Sequence, residues 1–312
     1  MHSSVIAHNE VRSLIREKTV LMLLVIFLLM TLLSAYIGWS SHHMIDQVYA
    51  ASVEQLHIQG KDIPPAPFAD VTPLSLLKNM IIYIVLIGSL LAITLGHDAG
   101  MRERKAGVVK ILFSRSITKT EFLIGKITGL TIVLGMTMLL AAVVSIASSA
   151  LLAKITAHDV IMLLVFYGLS LIYLLGFALL GLCFSFVEEN DAMALLVPVI
   201  IWLSLTFVLP ELTSALYPTG SLNPTAPQLA ISHGTIILQA ISDVMKPFSV
   251  TEHYKELGGY LLEVQGSKFN LGEILDIQAF NIASIVSWLL ICLAGCFAAM
   301  WRFDVATGDL RA

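Results

Sequence analysis

The chain has 312 residues, of which 57% are hydrophobic and 13% are charged, whereas a soluble domain carries about a quarter charged residues. This balance predicts a polytopic membrane protein and excludes an ordinary soluble domain or a basic nucleic-acid-binding surface. The net charge of −4 says little, because the sidedness of Lys and Arg orients membrane proteins. Cys183, Cys292 and Cys296 lie in or beside apolar runs, which predicts packing rather than a disulfide.

A helix is predicted over residues 4–17, ahead of the first apolar run. Its apolar positions recur at helical spacing: Ala7, Val11, Leu14 and Ile15. Its charged positions fall on other faces: Glu10, Arg12, Arg16 and Glu17. Two interpretations stay open, an amphipathic helix lying in the cytoplasmic interface and a cytoplasmic extension of the first span. Both place Arg12 and Arg16 at the level of the lipid headgroups.

Six apolar runs are long enough to cross a hydrocarbon core of about 30 Å at about 1.5 Å per residue. They cover residues 19–38, 76–96, 127–153, 160–187, 192–209 and 279–301. The first is too long for a signal-peptide core, so we interpret it as a retained span. The sequence therefore predicts an all-α integral membrane fold with six transmembrane helices, in a single domain over residues 1–312.

A basic segment over residues 98–126 separates the second and third runs and fixes the orientation. Each Lys or Arg at the bilayer centre would cost about 3 kcal/mol, so the segment lies outside the hydrocarbon. With the amino terminus inside, twelve of the 18 Lys and Arg residues are cytoplasmic and six are external. The positive-inside rule then predicts that both termini and the basic segment are cytoplasmic, in a plasma (inner) membrane.

Two external loops are predicted, over residues 39–75 and 217–278. The first contains Ile-Pro-Pro-Ala-Pro at residues 63–67, which favours irregular backbone. The second has a helical pattern from Gln228 to Met245, ended by Pro247. Capping-box spacings at Ser249–Glu252 and Asn270–Glu273 predict two more helix starts. We therefore expect helical external loops.

Two further features could bind a metal or a substrate: four side chains of the first external loop, and Glu211. The first external loop contains imidazole and thioether groups that suit copper or zinc: His42, His43, Met44 and His57. Scattered loop histidines are more often solvated, and spacing identifies no fourth ligand, so no metal site is predicted. Glu211, at the outer end of the fifth span, either faces a substrate path or reaches the headgroups; both interpretations stay open.

The basic segment resembles the cytoplasmic coupling segment of type-2 ABC transporter permeases. The resemblance rests on Glu103 and Gly107, a short apolar stretch, Ser114 to Lys119, and Gly125-Lys126 opening the next span, with Ser116 and Lys119 in place of the usual proline and arginine. It implies that the following residues contact an ATPase: Arg102, Glu103, Arg104, Lys105, Gly107, Lys110, Ser114, Arg115, Lys119, Gly125 and Lys126. Without the resemblance, a solvated basic loop would explain the same charges.

The resemblance implies a permease subunit that is not itself catalytic and binds no cofactor. Gly125-Lys126 lacks the glycine spacing of a Walker A loop, so ATP would be handled by a cytoplasmic ABC ATPase in two copies, beneath two copies of this chain or one copy and a related permease. Membrane lipid is the other expected partner, and nucleic acid is not. Nearly uncharged spans favour export or flipping of a hydrophobic or amphiphilic substrate.

Three other functions are compared with the sequence features that each would require. Leu222 to Thr225 and the overall size resemble permeases that help to mature nitrous-oxide reductase, which would make the chain part of an assembly complex acting at the external face. An intramembrane enzyme would need an HExxH helix or a nucleophile elbow, and neither string occurs in the sequence. An ion-coupled secondary transporter would carry charges within its spans, which are almost free of them.

Overall fold

A computed structural model of the protein describes residues 2–60, 62, 73–105, 117–152, 155–210, 244–263, 271–304 and 309–310. Six helices of this part are long and apolar enough to cross a membrane, as the sequence predicts. They cover Leu24–Ile58, Leu74–Arg102, Lys119–Leu151, Ala157–Val187, Asp191–Val208 and Ala279–Arg302. The all-α expectation is confirmed, and the described exception is a pair of two-residue antiparallel strands, β1 (Phe303–Asp304) and β2 (Asp309–Leu310).

The first two helices are separate. Helix α1 (His2–Arg16) ends before Glu17, whose extended backbone (φ −73°, ψ 128°) breaks the helical path before α2 (Lys18–Ile58) begins. The amino-terminal helix is therefore not an extension of the first span. It packs instead along α5 (Lys119–Leu152).

Helix α2 contains the apolar run predicted as the first span, residues 19–38, and continues for twenty residues beyond Gly38 to Ile58. Its 41 residues make a rod of about 60 Å, about twice the thickness of a hydrocarbon core. Residues 39–58 contain neither proline nor glycine, so nothing in the sequence stops the helix where the apolar run ends. It stops at Gln59 and Gly60, where Gly60 takes the left-handed conformation (φ 62°) that favours glycine after a helix. The Ile63 to Pro67 segment lies outside the described residues.

The second span is built in pieces: a 3-10 turn (Pro73–Leu77), α3 (Asn79–Tyr83), a π turn (Ile84–Gly88) and α4 (Ser89–Lys105). After α5 come α6 (Ala157–Val187) and α7 (Asp191–Leu203), which a π turn (Ser204–Val208) extends. The last elements are a 3-10 turn (Lys246–Phe248), α8 (Val250–Glu263), α9 (Leu271–Ile277) and α10 (Ala279–Arg302). Helix α6 is central, because α4, α5, α7, α8 and α10 all pack against it.

Side chains cap several helix starts, but not the one predicted at Ser249. Thr156 and Asp159 form a capping box at the start of α6, and Thr118 and Glu121 exchange the same two hydrogen bonds at the start of α5. Helix α8 begins directly after Ser249, as predicted, but the Ser249 hydroxyl makes no hydrogen bond with any described residue. The helix start was therefore predicted correctly and its cap was not.

Glycines let α4 and α6 approach closely at Gly96 and Gly181. A Cβ at Gly96 would overlap the Ala178 carbonyl, and a Cβ at Gly181 would overlap the Ile93 carbonyl. Small residues at such crossings allow backbone contact that larger side chains would prevent. The end of α4 is thereby held beside the end of α6.

We expect Gly181→Ala to destabilise the protein by about 1–3 kcal/mol, because the added methyl group overpacks a backbone contact. Gly168→Ala on the same helix is the matched control, since a Cβ there meets no described atom within 4 Å. It should leave stability unchanged or slightly higher, because alanine favours helix. Thermal unfolding in mild detergent measures both. Equal midpoints for the two variants would contradict the close contact.

Candidate functional site

A buried ion pair joins α1 to the junction between α4 and α5. Lys126 is fully buried, and its Nζ donates to Glu10 Oε2 at 2.6 Å and to the Ala99 carbonyl at 2.6 Å. Glu10 is only 3% exposed. A buried charge that lost its partner would be strongly unfavourable, so this pair fixes α1 against α4 and α5.

Arg102 extends the pair into a chain of alternating charges, which we call the ionic cluster: Lys126, Glu10, Arg102 and Glu17. Arg102 donates to Glu10 Oε1 at 3.1 Å and to Glu17 Oε1 at 2.6 Å. Glu17 lies at the break between α1 and α2, so Arg102 also ties down this bend. Two carboxylates and two cations compensate each other in the cluster.

Glu10 lies on the apolar face of α1, contrary to the sequence-based assignment. Helical spacing places it between Ala7 and Leu14, which are both buried. Gly129, three residues after Lys126 on α5, leaves the space that the Glu10 side chain fills. The face accepts a carboxylate because Lys126 and Arg102 neutralise it there.

Two further contacts tie the end of α4 to neighbouring helices. Arg104 donates to the carbonyls of Ser185 at 2.7 Å and Glu188 at 2.6 Å, and so satisfies acceptors that the end of α6 leaves open. His97 is 5% exposed, and its ring nitrogens lie 3.3 Å from Asp98 Oδ1 and 3.3 Å from the Asp191 carbonyl at the start of α7. The His97-Asp98 pair noted in the sequence is therefore a link between helices.

The start of α5 is also fixed to the last span. Lys119 Nζ donates to the Trp301 carbonyl at 3.3 Å, near the end of α10. Both ends of the basic segment are thus attached to other helices, through Arg102 and Arg104 on one side and Lys119 and Lys126 on the other.

Comparison with known families decides what kind of protein carries this site. A family described as ABC-2 family transporter protein matches residues 4–306, which is nearly the whole chain. The chain belongs to the ABC-2 transporter family. No curated protein matches it in sequence. As an ABC-2 permease it is a multi-pass membrane subunit for transport and not itself catalytic, as the resemblance of the basic segment implied.

The ABC-2 permease contains its predicted coupling residues in three different settings. Arg102, Arg104, Lys119 and Lys126 contact other parts of the chain, and Gly125 is buried. Glu103 and Lys105 lie in the last turn of α4. The remaining predicted residues lie outside the described part: Gly107, Lys110, Ser114 and Arg115. ATPase contact stays a prediction, and for Lys126 any role in it is indirect because its ammonium group is fully buried.

Other candidates from the sequence lie elsewhere. The four metal candidates, His42, His43, Met44 and His57, lie on α2 in the part predicted to be loop. His43 stacks on Trp39 with ring centroids 5.5 Å apart, and its Nε2 lies 3.1 Å from Gln47 Nε2. Among the described residues, no three His, Cys, Asp or Glu side chains form a metal-binding group. Glu211 and the Leu222 to Thr225 string lie outside the described residues.

Helix α8 makes polar contacts deep in the bundle, far from the ionic cluster. The Tyr254 hydroxyl lies 2.7 Å from Ser170 Oγ, near the middle of α6. His253 Nδ1 lies 2.7 Å from Asn281 Oδ1 on α10. Burial lowers the pKa of the neighbouring Lys255, and the nearby Glu252 opposes this shift. These contacts anchor α8 between α6 and α10, and spacing along the sequence gave no sign of them.

We expect Glu10→Ala to destabilise the protein by about 3–5 kcal/mol, because it leaves Lys126 buried without its carboxylate. The double variant Glu10→Leu with Lys126→Met should recover most of this loss, since it removes both charges. Arg12→Ala, an exposed position on the same helix, is the control. Thermal unfolding in detergent measures the free energies. Additive losses in the double variant would contradict a coupled ion pair.

Proposed function

We propose that this ABC-2 permease transmits ATP-driven motion from a separate cytoplasmic ABC ATPase to its membrane helices, with the basic segment as the contact. The proposal rests on the observation that both ends of that segment are bound to other helices of the chain. Arg104 connects α4 to the end of α6, and Lys126 connects α5 to α1. A force on the segment would therefore reach several spans at once.

The ionic cluster supports a rigid connection at this point. Lys126 and Glu10 are almost completely buried. Separating them would leave two buried charges without their partners, which is strongly unfavourable in a low-dielectric interior. The close glycine contact between α4 and α6 adds a second rigid junction. Motion of the segment would then move helices as bodies instead of bending their ends.

The remaining features follow from the same proposal. The chain lies in the plasma membrane with both termini and the basic segment in the cytoplasm. Two ATPase copies hydrolyse ATP. The chain pairs with a second copy of itself or with a related permease. The chain binds no cofactor of its own. The substrate is hydrophobic or amphiphilic and is exported or flipped, because each span contains a stretch of 18 residues with at most two acidic or basic residues.

We expect Glu103→Ala and Gly107→Leu to separate ATP hydrolysis from motion of the spans. An added cysteine, Ala157→Cys at the exposed start of α6, reports that motion through its labelling rate in the reconstituted permease–ATPase complex. ATP should change this rate in the unaltered chain and not in the two variants, while hydrolysis continues.

Matched controls for these variants lie on α8, away from the basic segment. Glu256→Ala removes an exposed carboxylate, and Gly259→Leu adds a side chain where a Cβ meets no described atom within 4 Å. Both should keep the ATP response. An unchanged ATP response in Glu103→Ala and Gly107→Leu would contradict the coupling role.

The proposed orientation has its own test with a membrane-impermeant thiol reagent. Cysteine at Ala157 should react in intact cells, whereas cysteine at the exposed Thr120, at the start of α5, should react only after permeabilisation. The unaltered chain, whose cysteines are buried or half-buried, gives the background. Labelling of Thr120→Cys in intact cells would reverse the assigned sides.

A further inference from the structure

A polar cleft of about 390 Å³ lies beside α1, next to the ionic cluster. One wall is a face of α1, and Arg102 and Phe122 contribute the other side. The α1 residues that line it with polar groups are Asn9, Glu10, Arg12, Ser13 and Arg16. The cleft therefore combines guanidinium, amide and hydroxyl donors in one place.

The cleft has a surplus of positive charge. In the ionic cluster, Glu10 and Glu17 compensate Lys126 and Arg102. Arg12 and Arg16 are exposed, and neither forms an ion pair or hydrogen bond with a described residue. Two guanidinium groups thus face the opening without a carboxylate of their own among the described residues. Guanidinium groups bind phosphate oxygens in bidentate fashion.

Exposed apolar side chains also occur on α1 and at the start of α2. On α1, Val5 is 60% and Ile15 is 48% exposed. At the start of α2, Leu21 is 62% and Met22 is 63% exposed. A soluble phosphate would leave these side chains uncovered, whereas the acyl chains of a lipid would cover them. A basic helix with an exposed apolar side is the usual form of an interfacial lipid contact.

We propose that the cleft binds the phosphate group of an anionic phospholipid. Arg12 and Arg16 pair with the phosphate oxygens, Asn9 and Ser13 donate further hydrogen bonds, and the acyl chains lie on the apolar surface of α1 and α2. The site does not depend on the ATPase contact. It goes beyond the proposed coupling function, because it assigns a specific lipid class to a specific group of side chains.

A bound lipid would also contact the ionic cluster, which holds the basic segment against α1. Arg102 lines the cleft and simultaneously binds Glu10 and Glu17. An anionic headgroup beside Arg102 would press α1 against the ionic cluster and reduce fraying of this short helix. Lipid composition would thereby influence how firmly the segment is attached.

The test measures lipid retention by native mass spectrometry on purified protein in mild detergent. Phosphatidylglycerol is compared with phosphatidylcholine, whose headgroup has no net charge. The double variant Arg12→Gln, Arg16→Gln should bind phosphatidylglycerol on the order of 30-fold more weakly, as expected for two basic groups near an anionic lipid. Phosphatidylcholine retention should stay unchanged. Arg302→Gln, an exposed arginine at the end of α10, should bind both lipids normally.

A second measurement on the unaltered protein does not require a variant. Retention of phosphatidylglycerol should fall steeply between low and high salt, because the contact is between exposed charges. Inorganic phosphate at millimolar concentration should not displace the lipid, since it lacks the acyl chains.

Three results would overturn the proposal. Full displacement by inorganic phosphate would assign the cleft to a soluble anion. Equal loss of both lipids in the double variant would show a general apolar contact. Unchanged phosphatidylglycerol binding together with loss of the copurifying ATPase would assign Arg12 and Arg16 to a protein partner. Failure of the coupling tests at Glu103 and Gly107 would leave the lipid site unaffected, so the two proposals fail separately.

Discussion

A fully buried ammonium group requires a partner, and Lys126 finds its partner on another helix. Its pairing with Glu10 determines where α1 lies, and the contact with the Ala99 carbonyl determines how α5 meets α4. Arg102 then uses the second oxygen of the same carboxylate and connects it to Glu17. Because a lone charge in this position would cost several kilocalories per mole, these helices are held in one arrangement.

Contacts of α4 with neighbouring helices extend this arrangement. Glycines bring the backbones of α4 and α6 into contact, which places Arg104 within reach of the Ser185 and Glu188 carbonyls. His97 continues the connection to α7. Helix α8 is held differently, by hydroxyl, imidazole and amide contacts with α6 and α10. The permease therefore has an ion-paired region where α1, α4 and α5 meet and a separate hydrogen-bonded region around α8, and the basic segment is attached to the first.

The basic residues of α1, α4 and α5 have different physical roles, although the positive-inside rule counts them equally. Lys126, Arg102 and Arg104 are used within the chain, where they compensate carboxylates or satisfy helix-end carbonyls. Arg12 and Arg16 are exposed on α1, and we propose that they bind an anionic lipid. Orientation in the membrane depends only on the number of basic residues on each side. The proposed coupling and lipid contact depend instead on the position of each basic side chain.

From the sequence by itself, the resemblance of the basic segment implied the ABC-2 class, the lengths of the apolar runs determined the six spans, and local capping spacing predicted the start of α8. The sequence did not show that helix α2 continues past Gly38, where the apolar run ends, until Gly60. It also missed the burial of Glu10. Only the tertiary structure decided this, because the compensating Lys126 lies 116 residues away in sequence, and periodicity reveals a face but not the charge that packs against it.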